Sequence, residues 1–416
     1  MNTAPNAEWR RYWYLPLAAA VGFSTIGLQS YGLSPFVTHI EAEFGWSRSD
    51  VMLGLSISNF VGVFLNILVG MIVDRFGPRR VALTGVVVKS GAFALLGTAT
   101  GYLFNWLFLW FLVALGIVLV QATVFTAAVA TRFDRHRGSA FAVTLSGTGL
   151  TVMLAPIIAT WLITDYGWRV GFFGVGVVWM LVTFPVCWFY FRDARSERRG
   201  KVVAGEAAPT VAPVEQPGMT LREGLRTRAF VQLAISFVAY SFYNMTMAAN
   251  LIPLLMETGQ DQVSAARIFG VMGIVGIIAR LSVGFLLDRF PGNIIGGISQ
   301  SLPIIGCALL LTDLPGVLPL IAAMVAFGIA TGAEMDVTIY LATRHFGLRS
   351  FAALFGAVIT CGALAAAAGP VIAGALHDVM GNYDGLLYLV IGIMSIGALA
   401  IGTMPRPPAK YASLAH

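Results

Sequence analysis

The sequence predicts an all-α membrane protein with about a dozen spanning helices, built as two homologous halves. Apolar residues make up 57% of its 416 residues and charged residues 11%, against about 45–50% and about 25% in soluble proteins. Apolar runs of the roughly 20 residues that a bilayer span needs recur along the chain. Lys and Arg concentrate in alternate connecting segments, as in multi-pass membrane proteins.

Twelve apolar segments are the predicted spans, and one long polar stretch divides them into two sets of six. They lie near 13–37, 49–73, 80–100, 105–131, 139–163 and 169–191, then 229–255, 263–287, 294–312, 316–343, 351–376 and 384–404. Between the sets, Gly205–Met219 is rich in Ala, Pro and Glu and is expected to be flexible. We expect six-helix bundles at 1–192 and 229–416, joined by a cytoplasmic linker at 193–228.

The positions of the 26 Lys and Arg residues predict the orientation. Arg48, Arg169 and Arg267 fall on one side and Lys89 and Arg280 within spans, so the other 21 share the opposite side. Because basic residues mark the cytoplasmic side, both termini are expected there, in the cytoplasmic (inner) membrane. We expect a monomer in the lipid bilayer. The net charge of +6 is then a topology signal, and no nucleic-acid partner is expected.

Other classes of protein are disfavoured. Cys187, Cys307 and Cys361 all lie in apolar runs without metal-ligand spacing, which argues against a disulfide framework or a zinc site. The first apolar run is too long for a cleaved signal peptide. The sequence contains no nucleophile–base pair, phosphate-cradling loop or metal cluster, so we expect no enzyme activity and no cofactor.

One offset relates the two halves of the chain. The heptapeptide Gly70–Phe76 corresponds to Gly284–Phe290, displaced by 214 positions, and the same displacement carries Pro156 onto Pro370. A shared offset at distant points indicates an internal duplication. Parallel halves related by an axis along the membrane normal, with the binding site between them, follow from such a repeat.

The segment Gly70–Arg80, GMIVDRFGPRR, resembles the loop signature G-x-x-x-D-R-x-G-x-R-R of the major facilitator superfamily. The resemblance implies a conformational latch in which Asp74 faces the start of the eleventh helix and Asp288 that of the fifth. The second copy has Pro291–Asn293 in place of Gly77–Arg79 and so lacks the basic arm. Ordinary juxtamembrane charges are the alternative. The predicted latch residues are Gly70, Asp74, Arg75, Arg79, Asp288 and Arg289.

Four further parts of the chain resemble the monocarboxylate transporter and oxalate–formate exchanger branch. The resemblance implies a substrate-binding arginine in the eighth helix, at Arg280, and a cavity lined by helices 1, 4, 7 and 10. The animal members often carry an Asp where this chain has Gly276, so the position of the proton-coupling acid stays open. The segments are Phe44–Ser49, Arg137-Gly138 with Ser146-Gly147, Gly167–Arg169, and Gly332–Asp336 with Phe346–Phe351.

Arg280 is also the strongest candidate on physical grounds. A charge at the centre of a span costs about 2.5–3.5 kcal/mol on insertion scales, so it needs a reason. Gly276 and Gly284 stand one turn to either side and are expected to leave room for a carboxylate at the guanidinium fork. A structural arginine paired with an acid of the tenth helix is the alternative.

Glu334 and Asp336, in the tenth span, are the candidates for carrying a coupled proton. Two positions apart on a helix, they diverge by about 200°, so only one is expected to face the cavity near Arg280. Burial favours the protonated carboxyl and a nearby arginine the ionised one, the balance that a proton carrier requires. A structural role is an equal alternative for each.

Uncharged residues near mid-span are weaker candidates for substrate contacts, with interhelical hydrogen bonding as the alternative for the polar ones. Lys89 lies in the third helix, which is peripheral in the superfamily, and we expect its stem to extend to the cytoplasmic surface, about 14 Å away. The substrate-contact candidates are Gln29, Tyr31, Leu28, Gln121, Leu145, Tyr243 and Asn244.

These patterns predict a secondary active transporter of a small organic monocarboxylate anion, proton-coupled and working by alternating access. The eleventh helix, Phe351–Leu376, contains no Lys or Arg, so a dicarboxylate has only one firm partner. Two alternatives stay open. They are proton-driven efflux of a hydrophobic or zwitterionic compound, and a membrane sensor with this fold but no turnover.

Overall fold

Nearly all described residues lie in helices. The computed structural model describes residues 7–133, 136–192, 218–312, 314–347 and 349–405, without the side chains of residues 66–68, 70, 74, 137, 288 and 352. Helices α1–α11 are Ala7–Tyr12, Tyr14–Ser24, Leu28–Tyr31, Val37–Phe44, Arg48–Phe76, Pro78–Leu95, Leu103–Leu119, Ala122–Ala130, Arg137–Leu145, Gly147–Tyr166 and Trp168–Tyr190. Helices α12–α18 are Leu221–Leu225, Arg228–Glu257, Gln262–Arg289, Gly292–Leu310, Leu318–Phe346, Phe351–Met380 and Asp384–Gly402.

The predicted all-helical membrane fold is confirmed. In the described part of the chain, nine helical stretches are long and apolar enough to cross a bilayer. The long helices α5 and α13, and the interrupted rod from α2 to α4, occupy the positions of the other three predicted spans. The count of twelve spans stays a prediction.

Local sequence explains where several helices begin. Ser47 and Asp50 form a capping box at the start of α5, each side chain accepting a hydrogen bond from the other's backbone N–H. Asp261 accepts from two N–H groups at the start of α14. Gly77 and Gly167, at the tight turns after α5 and α10, have φ values of 83° and 82°, which side chains other than glycine rarely tolerate.

Three predicted spans are interrupted rather than continuous. The first passes through 3-10 turns at Thr25–Gly27 and Ser34–Phe36. The fourth is extended at Gln121, with φ −64° and ψ 153°, and the fifth tightens at Ser146, between α9 and α10. Such interruptions release backbone carbonyls, which membrane proteins tolerate where the helix is buried or borders a cavity.

The two halves meet through two pairs of long helices, α5 with α17 and α10 with α14. The second crossing is close because glycines face each other there. A Cβ atom on Gly273 would lie 2.5 Å from the Met153 nitrogen and 2.6 Å from the Gly149 oxygen. Small residues permit this approach between membrane helices. The two pairs of helices enclose the space in which the candidate site lies.

The last residues of the predicted linker are folded. Thr220 and Glu223 form a capping box at the start of α12, and Gly224 packs against Leu354 at the start of α17. The Met219 N–H donates to the Phe346 oxygen at 2.8 Å. Residues 193–217 lie outside the described residues, so the flexible segment and the boundaries at 192 and 228 stay predictions.

Candidate functional site

Arg280 lies on α14 at the interface between the halves, with only 9% of its surface exposed. Its Nη1 donates to the Leu145 carbonyl at 2.5 Å and to Thr148 Oγ1 at 3.4 Å, both in the N-terminal half. Its Nε donates to the Gly332 carbonyl at 3.3 Å and lies 3.4 Å from Asp336 Oδ2, both on α16. Nη2 has no hydrogen-bond partner among the described residues.

The Leu145 carbonyl is available to Arg280 because the helix is interrupted immediately after it. The Gly149 N–H donates to the Ser146 carbonyl at 2.9 Å, a tighter turn than an α-helix would make. Gly147 lies against the backbone of Ala20, where a Cβ atom would collide with the carbonyl. The small residues of this turn therefore let the broken helix approach helix α2.

Glycines on both α14 and α16 shape the space around the guanidinium, and Gly276 and Gly332 line the crevice beside Arg280. A Cβ atom on Gly332 would lie 2.9 Å from Ala279 Cβ and 3.1 Å from the Arg280 nitrogen. A Cβ atom on Gly276 would lie 3.4 Å from the Gly328 carbonyl oxygen, an ordinary contact, and one on Gly284 would meet no atom of the described residues within 4 Å. The spacing of Gly328 and Gly332 is the small-residue pattern of close membrane-helix crossings and would have indicated this contact.

The two acids of α16 lie in different surroundings. Asp336 pairs with Arg280. Glu334, 1% exposed, accepts hydrogen bonds from Gln300 Nε2 at 2.8 Å and from Thr338 Oγ1 at 3.2 Å, inside the C-terminal half. Among the described residues its Oε2 has no hydrogen-bond partner. The structure thus brings Asp336, and not Glu334, to Arg280.

A cavity of about 270 Å³ lies between the halves at the level of the helix interruptions. Thr148 lines both this cavity and the narrow crevice beside Arg280, so the two spaces adjoin. The volume is slightly below the roughly 300–1,000 Å³ of sites for drug-sized ligands, which fits a small molecule. Its polar lining residues include Gln29, Ser30, Tyr31, Asn59, Gln121, Thr148 and Asn244.

Two hydrogen bonds connect predicted contact residues across this region. The Tyr31 hydroxyl donates to Asn244 Oδ1 at 3.2 Å, between the first and seventh spans. Asn244 Nδ2 in turn donates to Thr331 Oγ1 at 3.3 Å. The structure therefore places Gln29, Tyr31, Gln121 and Asn244 on the cavity wall, on three of the four predicted helices.

Three other predicted contacts differ from expectation. Leu28 and Tyr243 are fully buried in the cores of their own halves and do not line the cavity. Successive helix residues point about 100° apart, so the cavity-facing Gln29 and Asn244 turn these neighbours away. Leu145 contributes its carbonyl oxygen to Arg280, and its side chain packs against the N-terminal core instead of forming an apolar wall.

The prediction for Lys89 was wrong. Its side chain is fully buried, and Nζ donates to Gln29 Oε1. Gln29 Nε2 donates to Asn59 Oδ1 at 3.0 Å. The Lys89 amine is therefore hydrogen-bonded to an amide oxygen inside the bundle and does not extend to the cytoplasmic surface. The neighbouring helix packs closely here, since a Cβ atom on Gly116 would lie 2.7 Å from Lys89 Cα.

The latch at the signature segments stays a prediction, because the side chains of Asp74 and Asp288, with position 70, lie outside the described residues. Arg79 Nη2 donates to the Trp188 carbonyl at 2.6 Å, and the Arg75 guanidinium lies 5.4 Å from the Phe76 ring centre. These contacts are within the N-terminal half. Arg289 is exposed at the end of α14.

Polar contacts that the sequence analysis missed join the halves on the side opposite the termini. Asp378 on α17 accepts from the N–H groups of Arg48 and Ser49 at 2.9 and 3.0 Å and from Ser49 Oγ at 2.6 Å. It therefore caps the N-terminus of α5 from the other half. Arg48 also pairs with Glu41 at 2.6 Å and donates to the Tyr383 hydroxyl. We call these five residues the far-side clamp.

Comparison with known proteins connects this architecture to transport. The model of the Major Facilitator Superfamily matches residues 19–313. Monocarboxylate transporter 13 of Bos taurus is 24% identical over 425 residues, covering 97% of this chain and 91% of that protein. The hexuronate transporter of Bacillus subtilis (strain 168) is 23% identical, covering 95% and 94%. A D-xylose–proton symporter structure has a TM-score of 0.70 at 15% identity, covering 95% of this chain and 98% of that one, which shows the fold alone.

Proposed function

The chain belongs to the Major Facilitator Superfamily, and from that premise we propose that it is a proton-coupled secondary active transporter of a small organic monocarboxylate. Membrane transport is the common activity of its relatives. What we propose beyond it is that the substrate is a monocarboxylate and that its transport is coupled to protons. The supporting observation is Arg280, a buried guanidinium at the interface between the halves, in a crevice that adjoins the cavity. Its planar fork matches a carboxylate better than any other group in the described lining.

Substrate binding would exchange one partner of Arg280 for another. A carboxylate is a stronger acceptor for the guanidinium than the neutral Leu145 carbonyl, because it carries a full negative charge and its two oxygens can accept two parallel hydrogen bonds from the fork. Thr148, which borders both spaces, marks the route from the cavity. Losing the bond to Leu145 removes a tie between the halves, so substrate binding is linked to their relative movement.

Asp336 is the proposed proton carrier. In the absence of substrate its carboxylate is balanced by Arg280 at 3.4 Å. A substrate carboxylate at Arg280 leaves two negative charges beside one positive charge, which is costly inside a membrane. Proton uptake by Asp336 removes the excess negative charge beside Arg280, and substrate and proton therefore bind together. Glu334 is assigned a structural role between α15 and α16, where it is hydrogen-bonded to Gln300.

The proposed orientation has both termini in the cytoplasm and the protein in the inner membrane. The arginines expected on the opposite side include two that are paired with local acids. Arg48 lies 2.6 Å from Glu41, and Arg169 lies 2.6 Å from Glu43. These ion pairs satisfy the two arginines locally, and the excess of Lys and Arg on the side of the termini supports the assignment.

Reconstituted transport tests the function. Purified full-length protein in proteoliposomes is expected to accumulate labelled short-chain monocarboxylates when the side of addition is made acidic. Asp336→Asn is expected to retain counterflow exchange but lose accumulation driven by the proton gradient, and Glu334→Gln, if folded, to retain both. Absence of carboxylate accumulation by the wild type would contradict the proposed substrate. Gradient-driven accumulation by Asp336→Asn would contradict its proton role.

A further inference from the structure

Three polar side chains in the N-terminal half form a hydrogen-bond chain whose direction is set at one end. Lys89, fully buried on α6, donates through Nζ to Gln29 Oε1. A lysine amine in contact with a carbonyl oxygen acts as donor, so this contact assigns the oxygen of the Gln29 amide to Lys89. The NH2 group of Gln29 then donates to Asn59 Oδ1 at 3.0 Å. The NH2 group of Asn59 is therefore the terminal donor of the chain.

This terminal donor lacks an acceptor. Asn59 Nδ2 is buried and has no hydrogen-bond partner among the described residues. Leaving a buried donor unpaired costs about 1–3 kcal/mol. Turning the Asn59 amide over does not relieve the cost, because it would set its NH2 group against the NH2 group of Gln29. Both amide side chains line the cavity, so an acceptor there would complete the chain.

The charge distribution favours an acceptor that carries negative charge or a strong dipole. In the described part of the chain, Lys89 makes no ion pair with an acid. When Lys89 is protonated, its charge inside the membrane is stabilised by a negative group nearby. Arg280 approaches the same cavity from the C-terminal half, through Thr148. The cavity thus has a hydrogen-bond donor system in each half.

We propose that Asn59 is a second substrate anchor, which donates a hydrogen bond to a substrate oxygen remote from the carboxylate at Arg280. Lys89 and Gln29 are positioning residues that keep the Asn59 donor directed at the cavity. The proposal rests on the proposed function and extends it to a substrate class. Preferred substrates carry a second acceptor, which is a hydroxyl, an oxo group or a second carboxylate. A site built to hydrogen-bond such a group disfavours analogues that lack it.

The extension changes the expectation for dicarboxylates. The eleventh span contains no Lys or Arg, which left them a single firm partner. The N-terminal half supplies the missing donor through α5, where Asn59 lies, with Lys89 behind it on α6. A second carboxylate therefore has a place to bind without any cation on α17.

Calorimetric titration of purified full-length protein tests this with butanoate, its 2-, 3- and 4-hydroxy derivatives and butanedioate. At least one oxygenated ligand is expected to bind about tenfold or more tightly than butanoate. Asn59→Leu is expected to remove that preference, so that the ratio of the oxygenated-ligand affinity to the butanoate affinity falls to about one. Lys89→Met frees Gln29 to turn and is expected to reduce the preference. As a control, Gln232→Leu alters a buried glutamine that bonds Thr403 outside the cavity and is expected to retain it.

The ratio of affinities distinguishes a positioning role from a structural one, because general loosening of the fold weakens all five ligands together. Equal affinity for the five ligands, or a preference that survives in Asn59→Leu, overturns the inference and leaves the role of Arg280 intact. A preference fully retained in folded Lys89→Met overturns the positioning role. If Lys89→Met does not fold, Asn59→Asp replaces the donor by a carboxylate and is expected to lose butanedioate binding; retained binding overturns the inference. No carboxylate binding to the wild type overturns the proposed function itself.

Discussion

A guanidinium at the interface between two halves needs acceptors on both sides, and Arg280 finds them in a carboxylate and in backbone carbonyls. Sequence reasoning located Arg280 and an acid of the tenth span, because an ionisable residue within an apolar run is conspicuous. It did not identify the Leu145 carbonyl, because a backbone oxygen becomes available only where a helix is interrupted. The direction of each side chain was also difficult to predict from the sequence. A small rotation of a helix moves a residue from the cavity face to the core face, as with Leu28 and Tyr243.

We predict that carboxylate binding is linked to protonation of Asp336. If a proton enters with the substrate, carboxylate affinity rises as the pH falls, by up to about tenfold per pH unit while Asp336 is ionised in the free protein. Asp336→Asn removes the titrating group, so the carboxylate affinity of this variant is expected to depend little on pH. Calorimetric titrations at about pH 6 and about pH 8 measure both. A pH dependence of equal steepness in the two proteins would contradict the role of Asp336.

Among the helices, the interruptions and crossings were the least predictable features. Apolar periodicity identifies a span but does not reveal an interruption such as the turn at Ser146, where two glycines follow within three residues. The tight crossing of α14 and α16 was visible in the spacing of Gly328 and Gly332, a pattern that identifies one partner of a crossing and not the other. The second partner of such a crossing, here α14, is known only from the structure.

Gly332→Ala tests that crossing. The new Cβ atom would collide with the Gly276 carbonyl and crowd Ala279 and Arg280, so we expect a loss of about 1–3 kcal/mol of stability. The matched control is Gly392→Ala, where the new Cβ atom would meet no atom of another described helix within 4 Å and the change is expected to be neutral or slightly stabilising. Thermal unfolding in detergent measures both. Equal melting temperatures for the two variants would contradict the close packing.

The far-side clamp predicts how the halves separate on the side opposite the termini. Asp378→Ala removes the cap of α5, a contact worth about 0.5–2 kcal/mol, and shifts the population toward separation there. Spin labels at the exposed positions Asp165 and Asp384, one in each half, are expected to report longer distances. Asp261→Ala, which removes a cap within the C-terminal half, is the control. An unchanged distance distribution in Asp378→Ala would refute the clamp.

The sequence was most informative about the fold class and the superfamily, because composition and internal repeats are properties of the entire chain. The all-helical membrane fold and the superfamily are confirmed. The orientation depends on a summed charge bias and needs no knowledge of any single contact. The buried Lys89 shows the limit of such averages, since a single amine can be satisfied inside the bundle by one amide.

Topology can be checked without a substrate. Both termini and the linker are predicted to be cytoplasmic, so a cysteine introduced at Ala207, in a variant without native cysteines, is expected to resist membrane-impermeant maleimide in intact cells. It is expected to react after the cells are permeabilised. A cysteine at Asp165, exposed on the opposite side, is the positive control. Ready labelling of Ala207→Cys from outside would reverse the proposed orientation.

The central claim is that Arg280 binds the substrate carboxylate between the two halves. Lysine keeps the charge but loses the planar fork, so Arg280→Lys is expected to weaken carboxylate binding by about tenfold or more, and Arg280→Gln further. A purely structural arginine predicts otherwise, because lysine would keep the ion pair with Asp336. Calorimetric titration of both variants, after gel filtration has shown that each is folded, is the most direct measurement. Near-normal affinity in Arg280→Gln would contradict the claim.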